Sequence, residues 1–138
     1  AIVRAALARL LAEQPATTPA EHLKKTLLGL ALPCDLVLDL HCDAEASMHL
    51  YTHPDSAGTF APLAARLGCT AFLVAEKSGG DPFDEAVSRP WADLAAARPD
   101  AALPFACQST TVELRGQNDV CTELARADAA AILGFLAD

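Results

Sequence analysis

Aromatic residues make up only 5% of this 138-residue chain, which carries a single Trp, a single Tyr and a single Met. The apolar content must therefore come mostly from Ala and Leu. The chain is nonetheless 52% hydrophobic, with a mean hydropathy of +0.24. That excludes a disordered polypeptide and requires a packed core. Basic residues are also scarce: 10 Lys and Arg against 18 Asp and Glu give a net charge of −8. Such a surface repels phosphate backbones, so nucleic acid is excluded as the natural partner. Long hydrophobic runs are missing, and none approaches the roughly 18 residues that cross a bilayer. Arg4 and Arg9 interrupt the opening stretch, so no signal peptide and no membrane partner are expected. Paired cysteine spacing is missing as well. Cys34, Cys42, Cys69, Cys107 and Cys121 are odd in number and form no C-x-x-C. This argues against a disulfide framework or zinc knuckle, and for free thiols in a cytoplasmic compartment, each a small buried hydrophobe.

What is present reads as one α/β domain over residues 1–138, since the length is close to the prior of about 150 residues. Ile2, Val3, Ala6, Leu7, Leu10 and Leu11 recur at helical spacing, fading at Gln14-Pro15. Thr18-Pro19-Ala20-Glu21 spells an N-cap, a first-turn proline and a capping-box glutamate, and Pro33 closes that second helix. Asp35 to His41 (DLVLDLH) predicts a strand covered on both faces, and Ser47 to Thr52 a shorter one. A helix from Thr59 to Leu67 ends at Gly68, and Cys69 to Ala75 predicts a buried strand. Ser78 to Pro82 is a loop, with helical signals around 82–87 and 90–98. Thr110 to Leu114 predicts a strand, Arg115 to Asp119 a turn, and 122–136 a last helix. The alternation predicts a mixed, partly parallel sheet with helices on both faces. The chain starts at Ala1 with no cap before its first helix, which suggests processing or a piece of something longer.

Two polar intrusions into apolar strands carry the chemistry. In Asp39-Leu40-His41 the alternation of an extended chain puts Asp39 and His41 on one face. A carboxylate there can accept one imidazole N–H and leave the other nitrogen free for a metal. A strand-end histidine that is merely hydrogen-bonded is the plain alternative. Glu113, between Val112 and Leu114, is costly to bury unless paired or used. It could be a water-activating base, or it could pair with Arg115, which has the same parity. Arg115 could instead grip a substrate carboxylate through its planar fork. If extended, His49, Tyr51 and His53 share a face and could line a substrate pocket. His41, His49 and His53 could also form a substitute metal site, against the alternative of solvated loop histidines.

DLVLDLH, followed some seventy residues on by STTVELRG and an Ala-rich closing helix, resembles the succinylglutamate desuccinylase/aspartoacylase family. The resemblance spans about residues 33–136. It implies a zinc-carboxypeptidase-like fold, incomplete at the N-terminus, and a zinc-dependent deacylase that hydrolyses the amide bond of a small N-acyl amino acid. By that resemblance His41 is a zinc ligand, Asp39 supports it, and Glu113 is the general base. The family's other two ligands, a His and a Glu three residues apart, have no counterpart here, because no H-x-x-E occurs in the chain. One protein ligand falls short of the three that a catalytic zinc normally needs. The chain therefore reads as the C-terminal part of a catalytic domain, inactive in isolation. The competing reading is a non-catalytic α/β binding or regulatory module on the same scaffold.

Overall fold

Helices and strands alternate along the chain in a computed structural model that describes residues 2–80 and 82–138. The chain start at Ala1 and position Asp81 of the Ser78–Pro82 loop lie outside the described residues. Helices α1 (Ile2–Glu13) and α2 (Pro19–Ala31) precede strands β1 (Leu36–Asp43) and β2 (His49–Thr52). Then come α3 (Ala57–Leu67), β3 (Ala71–Val74), α4 (Phe83–Ala97), β4 (Gln108–Gly116) and α5 (Thr122–Ala137). Contacts cluster into two compact units, Ala1–Val37 with Ala86–Gln108 and Leu38–Glu85 with Ser109–Asp138.

In the first unit the capping box is complete. Thr18 accepts from the Glu21 N–H, and the Glu21 carboxylate accepts from the Thr18 backbone. The backbone N–H groups of Thr17 and Thr18, with the Thr17 hydroxyl, hold the Glu21 carboxyl down to about 2. Helix α4 corrects the expectation of two helical pieces, for it runs unbroken through Pro90. Val87, Ser88 and Trp91 are all buried around that proline. Their burial outweighs a propensity cost of about 3 kcal/mol for an internal proline.

The sheet has the order β1-β4-β2-β3, with β2 parallel to β3 and antiparallel to β4. It is therefore mixed and partly parallel, as its sequence predicts. DLVLDLH and CTAFLVA, however, are not strands covered on both faces. They form the two edges, leaving Leu40, Leu73 and Val74 about half exposed. Apolar runs announce strands but not their place in the order, because pairing partners are set by distant residues. The cysteines also depart from expectation: Cys107 is buried, whereas Cys34, Cys42 and Cys121 are exposed.

The core of the second unit joins Leu50 and Val112, directly opposite each other on β2 and β4, to Phe60, Leu63 and Leu67 of α3. Gly68 ends α3 at φ 66, the left-handed turn that the sequence predicts. Phe60 is fully buried and its ring lies 6.1 Å from that of Phe135 on α5. Phe60→Ala is expected to cost roughly 3–5 kcal/mol, the range for an aromatic lost from a core. Urea unfolding midpoints of the two proteins check it.

Candidate functional site

Adjacency of β1 and β4 brings the two sequence motifs together. Asp39 and His41 share one face of β1, and the Asp39 Oδ2 lies 2.9 Å from His41 Nε2. A carboxylate so close favours the proton on Nε2, which leaves the lone pair on Nδ1. That Nδ1 lies 3.7 Å from Glu113 Oε1 on β4. The Glu113 side chain is 15% exposed against 48% for His41. Glu113 Oε2 is buried with no hydrogen-bond partner among the described residues. One carboxylate oxygen thus faces the imidazole and the other has unused capacity to accept a hydrogen bond.

The antiparallel register continues the row. His49 stands directly opposite Glu113, and Tyr51 opposite Thr111, so these side chains project from the same face. His49 and Tyr51 meet edge to face with ring centroids 5.1 Å apart, and His49 Nδ1 bonds the Ser47 carbonyl at 2.7 Å. Asp39, His41, Glu113, His49 and Tyr51 thus occupy one sheet face across β1, β4 and β2.

Arg115 does not join them. At φ 83 its backbone leaves the extended region, so the parity that put it beside Glu113 no longer holds. Its guanidinium instead donates two 2.8 Å hydrogen bonds to Asp128 of α5. The pairing with Glu113 expected from spacing is corrected, and the fork that could grip a substrate carboxylate is already taken. The next residue, Gly116, makes the turn possible, because a Cβ there would sit 3.2 Å from the Ala44 carbonyl oxygen. His53 is corrected too. It caps the short 3₁₀ turn Pro54–Ser56, with Nδ1 accepting from the Asp55 N–H at 3.2 Å. No group of three or more metal-binding side chains forms among the described residues, which removes the His41–His49–His53 alternative.

A groove of about 430 Å³ between the strand ends and α5 is lined by Leu40, His41, Leu114, Arg115, Leu124 and Ile132, among others. It reaches His41 but not Glu113, His49 or Tyr51; Tyr51 instead lines a small pocket with His53 and Asp84.

Asp84 escaped the sequence reading, being a first-turn acid of α4 with nothing local to mark it. It is 6% exposed. Burial pushes its carboxyl above the ordinary range, against hydrogen bonds from the Glu85 backbone and Thr111, with repulsion from Glu85 and Asp39 adding to the rise. A folded pKa above the unfolded one favours folding below about pH 4 and opposes it as pH climbs through the folded value. Asp84→Asn removes that charge, so its stability relative to the parent is expected to rise between acid and neutral pH. Thermal unfolding from pH 3 to 8 checks the sign.

A mixed α/β sheet presenting an Asp–His pair against a shielded glutamate defines an α/β domain with a polar cluster on one sheet face. Solved structures narrow this: the chain has the fold of the succinylglutamate desuccinylase/aspartoacylase family. A protein named for that family from Shewanella amazonensis superposes with a TM-score of 0.82 at 29% identity, over 96% of this chain. A second, from Shewanella frigidimarina, gives 0.79 at 25% identity over 98%. The chain spans 37% of the length of each. No protein-family model and no curated protein matches it.

Proposed function

We propose that this chain supplies one zinc ligand and the general base of a deacylase that hydrolyses the amide bond of N-acyl amino acids. The observation that carries the reading is the 3.7 Å approach of His41 Nδ1 to Glu113, together with the unpartnered, buried Glu113 Oε2. The donor set present fits a zinc ion only in part. His41 would hold it through Nδ1, and this reading takes the other ligands from a segment other than the described residues, among which no three-residue cluster exists. When bound, zinc would polarise the scissile carbonyl and acidify water.

The chain's own residues do the rest. Asp39 fixes the imidazole tautomer from Nε2. Glu113 takes a proton from the attacking water as the C–O bond forms. It returns that proton to the departing nitrogen as the C–N bond breaks, releasing a carboxylic acid and an amine, which exchange the remaining proton to leave as carboxylate and ammonium. His49 and Tyr51 share the face that carries Glu113 and would contact the substrate in this reading.

Ligand counting supplies the test. The 138-residue chain is expected to bind zinc weakly and to hydrolyse no N-acyl amino acid. A polypeptide adding an H-x-x-E segment is expected to bind zinc at one site and to be active. Zinc titration and amine release, measured on both, decide the matter. Full activity from the isolated chain means that the ligand count is wrong. Failure of both proteins to turn over any acyl substrate favours the non-catalytic module, a reading supported by the missing ligand cluster.

A further inference from the structure

The sheet places an imidazole on either side of Glu113. His41 approaches it from β1, and on β2 His49 stands directly opposite it in the antiparallel register. Directly opposed residues of such a pair hold their Cβ atoms about 4.5–5.5 Å apart, so His49 borders the glutamate on the side away from His41. Two contacts fix its ring. Nδ1 lies 2.7 Å from the Ser47 carbonyl oxygen, which can only accept, so Nδ1 carries the proton. The ring also meets Tyr51 edge to face, with centroids 5.1 Å apart and planes at 73°. In the neutral imidazole a proton on Nδ1 leaves Nε2 as an acceptor. That Nε2 has no hydrogen-bond partner among the described residues, and it is not sealed from solvent as Glu113 Oε2 is. A preset acceptor with an open lone pair thus stands beside the proposed base.

Amide hydrolysis has a use for such an acceptor. Once water has added to the carbonyl carbon, the nitrogen about to leave carries one hydrogen, one carbon substituent and one lone pair. Glu113 must deliver its proton to that lone pair, after which the C–N bond breaks and its electron pair passes to nitrogen. The hydrogen already on nitrogen has to point elsewhere, or it blocks the transfer. We infer that His49 Nε2 accepts the N–H of the scissile amide, turns the nitrogen lone pair toward Glu113, and so favours secondary amides over N-alkylated ones. That hydrogen stays on nitrogen throughout, and His49 neither gains nor loses a proton. The inference deepens the deacylase reading and rests on it.

Two measurements test it. The first reads the tautomer by NMR in the 138-residue chain, ¹⁵N-labelled in its four histidines, at about pH 8, above the ordinary imidazole range. His49, assigned by the resonances lost in His49→Asn, is expected to be protonated at Nδ1 and bare at Nε2. A proton on Nε2 instead overturns the inference. The second uses the polypeptide that adds the H-x-x-E segment, with N-acetyl- and N-succinyl-L-alanine and the N-methyl counterpart of each, which lacks the N–H. His49→Asn keeps a donor near Nδ1 and removes Nε2. It is expected to lower kcat/KM about three- to tenfold on the secondary amides, as for one neutral hydrogen bond, and less than about twofold on the N-methyl amides. His49→Gln, whose amide oxygen reaches the Nε2 position, is expected to come within about twofold of the parent. A general loss of structure lowers both substrate series alike, so their ratio isolates the contact. An unchanged ratio, or equal losses in the Asn and Gln variants, overturns the inference and leaves the deacylase reading standing. No turnover of any of the four substrates overturns both.

Discussion

Glu113→Gln is expected to leave metal content unchanged while lowering turnover by about 10²- to 10⁴-fold, in a polypeptide where this chain is joined to the missing ligands. That range is what a positioned proton acceptor contributes. The substitution suits the question because glutamine keeps the shape of the side chain and removes only its basicity. Glu113 sits between Val112, fully buried, and Leu114, and projects toward His41 from the opposite face to the core. The fold should therefore tolerate the change. Initial rates of amine release, with zinc measured in the same preparations, separate a lost base from a lost metal. Full activity in Glu113→Gln would place the base elsewhere, and lost zinc would make Glu113 a ligand rather than a base.

His41→Ala is expected to reduce zinc occupancy and turnover together. A three-ligand site that loses one member loses both affinity and the geometry that leaves a position for water. At 48% exposure His41 carries little packing, so the variant should fold. Asp39→Asn is the graded control. Asp39 touches His41 only at Nε2, 2.9 Å away, and a change behind a ligand typically costs about 10- to 100-fold. The expected order of activity is parent, then Asp39→Asn, then His41→Ala. Parent-level zinc binding in His41→Ala would remove this histidine from the metal site.

Much of this was written locally in the chain. The capping box at Thr18–Glu21, the αL glycine at 68 and the strand alternation through Asp39 and His41 depend on neighbours within a few residues, and the structure reproduces each. The pairing of DLVLDLH with STTVELRG likewise marked two segments that share a face. Strand order did not follow from local pattern, and β1 and β3 became edges although their apolar runs suggested burial. Arg115 shows why parity has limits. One residue at φ 83 turned its fork from Glu113 to Asp128, a partner 13 positions along the chain. Pro90 stayed inside a helix because Val87 and Trp91 are buried beside it. Asp84 gained its raised carboxyl from burial and from charges on other elements. Short-range periodicity and capping chemistry fix which segments are helices and strands and which side chains alternate. Edge positions, the partner of Arg115, the environment of Asp84 and the place of His49 opposite Glu113 arise from residues far apart in the chain, whose meeting depends on the packing of the whole.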